Sequence, residues 1–145
     1  MSFLIRPVRH ADIEALSVLA SSLSAHGFLT LPDHSEELEK LVSLSESSFR
    51  GAVKSHDQGR YVFVLEDMDK RRVIGSSLIV ARHGDPESPH LYFQVDEEKG
   101  TLMFQSDAEG RTELGGLILD PAYRGRPEKL GKGLPLFQYQ CRLAG

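Results

Sequence analysis

Thr112–Gly133, TELGGLILDPAYRGRPEKLGKG, is the stretch on which the fold turns. Leu114 to Leu119 is a short, nearly continuous apolar run, which predicts a buried strand. Asp120–Pro121 makes a turn. From Tyr123 to Gly133 the chain is rich in glycine and basic residues, and it feeds a helix that begins near Leu130. Gly125, Gly131 and Gly133 let the backbone approach a ligand and present bare N–H groups. The helix N-terminus that follows favours negative charge. Arg124, Arg126 and Lys132 add formal positive charge. Strand, Gly-rich basic loop and helix in this order suit a pyrophosphate-bearing cofactor such as coenzyme A. The same residues also read as a glycine-rich turn with solvated cations. The stretch is not a nucleotide P-loop, because no Ser or Thr follows Lys132 to hold magnesium. Its glycines also lack the G-x-G-x-x-G spacing of a dinucleotide fingerprint.

Upstream, Thr101 to Gln105 and Leu91 to Val95 read as a hairpin closed by the turn Asp96 to Gly100. Tyr61 to Glu66 and Val73 to Ala81 form another hairpin, and their apolar runs imply burial on both faces. Ser35 is a plausible N-cap for a helix running to about Phe49, with Leu38, Leu41, Val42 and Phe49 on one side. An earlier helix covers about Asp12 to Ser24. Ile13, Leu16, Leu19, Ala20 and Leu23 recur there at helical spacing, and Gly27 supplies a stop. Phe3 to Val8 is a short strand broken by Pro7. Downstream, the last helix carries Leu134, Leu136, Phe137 and Leu143, with Pro135 expected in its first turn. The fold class is therefore α+β, with helices flanking a mainly antiparallel sheet.

A chain of 145 residues is one domain, with enough surface to bury for a core of its own. The net charge is −4 and Lys and Arg are scattered, which argues against nucleic acid or an anionic membrane as partner. Cys141 is the single cysteine, so no internal disulfide forms and a reducing compartment, the cytoplasm, is expected. It reads as a small buried hydrophobe on the last helix. No run approaches the ~20 apolar residues of a membrane span, and the apolar start is too short for a signal peptide. His10, His26, His34, His56, His83 and His90 all precede the glycine-rich segment and read as surface or capping residues. No metal-ligand spacing and no Ser–His or Cys–His pairing stands out.

The order strand, D-P-x-Y-R-G, loop, L-G-K-G-L, helix resembles the acyl-CoA motif of the GNAT acyltransferase superfamily. Here the loop from Arg124-Gly125 to Gly131-Lys132-Gly133 is longer than that superfamily's tight turn. FLIRPVRHADIEAL at the start, LTLPDHSEELEKLVSLSESSF from Leu29, YVFVLEDMDKRRVIGSSLIV from Tyr61 and ELGGLILDPAYRG from Glu113 resemble the N-terminal half of the arginine N-succinyltransferase family. Thr30 stands where that family commonly has serine. The resemblance implies a GNAT-like domain over residues 1–145 that ends directly after the cofactor-binding strand–loop–helix. It implies succinyl transfer from succinyl-CoA to the α-amino group of arginine, without a metal. Family members are more than twice as long, and their proton-donor histidine lies in the half not represented here.

What the resemblance implies for individual residues is partial. Backbone groups of Leu117, Ile118 and Leu119 would meet the thioester and pantetheine arm as an added strand does. Arg124, Gly125, Arg126, Gly131, Lys132 and Gly133 would hold the pyrophosphate. Glu113 matches a family glutamate that could take a proton from the amine or hold the guanidinium; it also reads as a solvated strand end. Glu66 and Asp67 form an acidic pair suited to an arginine substrate, or are ordinary turn acids. Leu114 to Leu119 would lack its downstream neighbour, which invites pairing with a second copy or a partner chain carrying the remaining half. Two other readings stay open: a non-catalytic relative kept as a binding domain, and another acyl-CoA N-acyltransferase completed by dimerisation.

Overall fold

The computed structural model describes residues 2–24, 31–53, 58–82, 84, 86, 87, 89–108 and 110–144. Its elements are β1 (Phe3–Pro7), α1 (Ile13–Ser24), α2 (Ser35–Phe49), β2 (Arg60–Asp67), β3 (Arg72–Val80), β4 (His90–Asp96), β5 (Thr101–Asp107), β6 (Glu113–Leu119) and α3 (Leu130–Ala144). One 3-10 turn, His10–Asp12, leads into α1, and another, Pro121–Tyr123, follows β6. β1, β2, β3 and β6 lie side by side in that order as an antiparallel sheet, while among the described strands β4 and β5 pair only with each other. The α+β class and both hairpins therefore agree with the sequence reading.

The helices divide between the two faces of the sheet. Leu16, Leu19 and Ala20 of α1, with Leu38 and Val42 of α2, meet Val62, Val64, Leu78, Val80 and Ile118 on one face. Leu134 of α3 joins Leu65, Ile74, Leu119 and Tyr123 on the other. The serines of α2 were not foreseen as structural. Ser45 Oγ accepts from the N–H of Val62 at 2.9 Å, and Ser48 Oγ from that of Arg60 at 3.0 Å. The register of β1 on β2 ends at Phe63, and beyond it Val8 only donates its N–H to the Val62 carbonyl, so these hydroxyls supply acceptors that a longer strand would otherwise provide.

Two local expectations need correction. Ser35 is the first helical residue of α2; His34 occupies the cap position and makes no side-chain cap bond. The helix start instead has Glu36 and Glu37 in its first turn, where the dipole favours them. Pro135 lies inside α3 and beyond its first turn, so the missing N–H removes an internal helix bond. Of the apolar residues that α3 carries, Leu134 is buried beside Gln138, Leu130 and Phe137 are partly covered, and Leu136 and Leu143 are exposed. Gly27, Leu29, Thr30, His26, His56 and His83 lie outside the described residues.

A polar triad ties the N-terminal strand to the first turn. The guanidinium of Arg6 donates to both oxygens of Asp12, at 2.8 and 2.9 Å, and to Glu66 at 3.0 Å. Burial pushes the Asp12 carboxyl up, but the Arg6 bonds and the Arg9 N–H outweigh it and hold the group below its ordinary value.

Candidate functional site

The site begins with a defect in β6. Ser76 faces Ile118 and Leu78 faces Gly115, so Gly116 and Leu117 together oppose Ser77 alone. This is a bulge, with the ladder locally interrupted. Gly116 has φ +56°, and a Cβ there would lie 2.8 Å from Cβ of Leu78, so glycine is required. Two buried side chains brace the bulge. Ser76 Oγ donates to the carbonyl of Gly116 at 2.8 Å. From the α3 face, Gln138 Nε2 donates to the carbonyls of Leu78 at 2.7 Å and Gly115 at 3.0 Å. Neither was read from the sequence. The Gly115–Gly116 pair inside a strand pattern is the signal that could have found the bulge.

Beside the bulge runs a groove of about 1230 Å³ between α1 and β6. Glu14, Val18 and Ser22 of α1, four residues apart, form one wall, and Leu117 and Ile118 of β6 form the other. Leu117 is 47% exposed, while Ile118 is 3% exposed and roots the strand in the core. β6 pairs with β3 alone among the described strands, so its second edge faces outward.

The groove ends at the turn after β6. Asp120 caps the 3-10 turn by accepting from the N–H of Ala122 at 2.9 Å, and Pro121 is placed where its fixed φ suits that turn. Asp120 also pairs with Arg72. Arg124 lines the groove here, its Nε donating to the carbonyl of Leu119 at 3.1 Å. Gly125 has φ +68°, with nothing near where a Cβ would stand. Arg126 lies over the ring of Tyr123 at 4.8 Å. Lys129, in left-handed conformation, then sets the start of α3, its carbonyl accepting from the N–H groups of Lys132 and Gly133.

The structure thus brings Leu117, Ile118 and Arg124 to one groove. Gly125, Arg126, Gly131, Lys132 and Gly133 follow on the connection and first turn of α3, past the groove's lining. Leu119 turns its side chain to the α3 face. Glu113 opens β6, at the opposite end of the strand from Arg124, and lies in the field of Arg60.

Glu66 and Asp67 do not reach the groove, because β3 stands between their strand and β6. Glu66 is committed to Arg6. Asp67 is fully buried, accepting from the hydroxyl of Tyr123 at 2.6 Å and the N–H groups of Asp69 and Lys70 at 3.1 and 3.2 Å. The Tyr123 bond, more than any other cause, holds the Asp67 carboxyl below its ordinary value, and the same bond raises the phenol of Tyr123. Of the pair expected to bind substrate, Asp67 ties β2 to the Asp120–Tyr123 turn and Glu66 ties β2 to Arg6 of β1. Cys141 is half-buried, and burial pushes its thiol up, away from the reactive thiolate. Among the described residues no cluster of His, Cys, Asp or Glu has the geometry of a metal site, and no helix is long and apolar enough to cross a membrane.

Comparison with solved structures places this arrangement among known folds. The arginine/ornithine succinyltransferase subunit AI of Pseudomonas aeruginosa superposes with a TM-score of 0.65 at 24% identity, covering 97% of this chain and 47% of that one. A GNAT-family acetyltransferase of Staphylococcus aureus superposes with a TM-score of 0.59 at 13% identity, over 99% of this chain and 67% of that one. The fold is therefore GNAT-like. In sequence, the arginine N-succinyltransferase subunit beta of Pseudomonas aeruginosa is 35% identical over 132 residues, covering 83% of this chain. The arginine N-succinyltransferase of Photorhabdus laumondii is 32% identical over 133 residues. The chain spans 38% of the length of each of these two relatives. A family model described as arginine N-succinyltransferase beta subunit matches residues 3–139, and the chain belongs to that family.

Proposed function

We propose that this chain is the acyl-CoA-holding unit of an arginine N-succinyltransferase, corresponding to the N-terminal, GNAT-like part of the longer family members. The observation that carries the reading is the bulged β6 strand lying open along a groove, in a chain of that family. Pantetheine lies against Leu117 to Leu119 as an added strand, and the thioester carbonyl sits at the bulge, where the ladder is interrupted. Arg124, Arg126 and Lys132, with the glycines of the α3 start, take the pyrophosphate. Succinyl-CoA is the co-substrate and no metal takes part. The single cysteine fits a cytoplasmic setting.

The chemistry assigned to the complete enzyme is direct acyl transfer. The neutral α-amine of arginine attacks the thioester carbon, the C–S bond breaks, the amine loses a proton and the CoA thiolate gains one. Backbone N–H groups at the bulge stabilise the oxyanion, usually the largest catalytic term. Glu113 is the candidate base for the amine. The described residues offer no clear proton donor or second slot wall, and we assign both to sequence that the longer relatives carry, meeting this chain along the open edge of β6.

Calorimetric titration with succinyl-CoA, with acetyl-CoA as control, tests the reading. Saturable binding of succinyl-CoA is expected, weakened by Arg124→Ala. No heat with either ligand from a folded chain, even with the remaining part of a family member supplied, would refute it. Preference for acetyl-CoA would instead favour a different N-acyltransferase.

A further inference from the structure

The β4–β5 hairpin has an apolar face that nothing among the described residues covers. Phe93 faces Phe104, Val95 faces Leu102 and Leu91 faces Ser106. Directly opposed residues project to the same side of a sheet, and alternate residues to opposite sides. One side of the hairpin therefore carries Leu91, Phe93, Val95, Leu102 and Phe104. Each of these is 56–66% exposed. The other side carries His90, Tyr92, Gln94, Met103 and Gln105, a mixed polar surface. The hairpin packs mainly within itself and stands apart from the four-stranded sheet.

Such a structure is incomplete by itself. A lone two-stranded hairpin is marginal in water and gains stability when its apolar face is packed. Five large side chains, more than half exposed, offer on the order of 500 Å² of apolar surface, the size of a patch that marks an interaction site. We infer that this face is the contact between two copies of the chain, packed sheet on sheet about a two-fold axis.

Several features favour a second copy as the occupant. The five face residues carry no charge, so identical faces meet without repulsion. Two facing copies bury about 1,000 Å², the lower bound of a specific interface. A two-fold contact needs a self-complementary patch, and an uninterrupted apolar strip meets that need. The tip, Asp96, Glu97, Glu98 and Lys99, is net acidic, which disfavours insertion into an anionic lipid surface. The inference does not depend on the acyl-CoA reading, because the hairpin contributes no residue to the groove.

The test is light scattering on the eluting chain across a hundredfold concentration range, with circular dichroism to confirm folding. The wild type is expected at twice the chain mass. Val95→Lys, near the hairpin tip, sets like charges against each other and is expected to weaken the dimer at least tenfold; Phe104→Gln acts by removing apolar area. Gln94→Lys, on the polar side, is expected to leave it intact. A folded wild type that remains monomeric would overturn the inference, including the case where the monomer binds the remaining part of a family member through this face. So would a dimer insensitive to Val95→Lys and Phe104→Gln, which would place the contact elsewhere, such as the β6 edge.

Discussion

Gly116 and Gly133 both lie in the segment proposed to hold the cofactor, but their surroundings set opposite expectations. Gly116 is left-handed and pressed against Leu78. Gly116→Ala should cost about 1–3 kcal/mol in urea unfolding, because strain and overlap coincide. Gly133 sits in a helix with open space where a Cβ would stand. Gly133→Ala should therefore stabilise the fold by about 0.5–1 kcal/mol. If the glycine serves close approach of a phosphate, the same substitution weakens succinyl-CoA binding; a stabilised variant with unchanged affinity would remove Gly133 from the site. Tyr123 and Asp67 give a pH prediction. The folded carboxyl is held low, so its stabilisation is present above the unfolded value near ~3.9 and is lost as pH falls through the folded value. The folded phenol is raised, so its stabilisation fades as pH climbs past about 10. Tyr123→Phe should be less stable at neutral pH and show a flatter stability profile at both extremes. Superimposable wild-type and variant profiles from pH 3 to 11 would contradict this.

Helix α1 serves two surfaces. Its core stripe, Leu16, Leu19 and Ala20, was legible from apolar spacing alone. The groove stripe, Glu14, Val18 and Ser22, was not, because it has meaning only once β6 is known to lie opposite. Val18 is 65% exposed, so Val18→Trp should leave the melting temperature nearly unchanged. It should weaken succinyl-CoA binding by about tenfold or more, a loss of ~1.4 kcal/mol, if the groove holds the cofactor. Unaltered affinity would move the cofactor off this wall. On α3, Gln138→Leu leaves the carbonyls of Leu78 and Gly115 without their donor and should cost about 1–3 kcal/mol by denaturant unfolding. The strands, being local apolar runs bounded by turns, were read nearly to their ends. The start of α3 near Leu130 was read correctly; Pro135 was misplaced because a start there already puts it in the second turn, and the helix tolerates the proline instead of beginning later.

Across the molecule, local signals were readable and long-range partnerships were not. Asp67 looked like a free turn acid because Tyr123, its partner, lies far along the chain. Glu66 looked available for a substrate until β1 brought Arg6 beside it. The outward edge of β6 was legible, since the family resemblance implies a downstream neighbour for Leu114 to Leu119 that the described strands do not supply. The exposed face of the β4–β5 hairpin was not, because alternation shows which residues share a side and not whether anything covers it. What unites the sheet, the bulge and the Gly-rich connection is one claim: an acyl-CoA lies along Leu117 to Leu119 with its pyrophosphate toward α3. The most direct test is a backbone amide NMR titration of the labelled chain with succinyl-CoA. Shifts are expected to concentrate at Leu117, Ile118, Leu119 and Gly131 to Gly133, with α1 perturbed near Val18. Saturating shifts elsewhere, or none along β6 in a folded chain that binds the ligand, would contradict it.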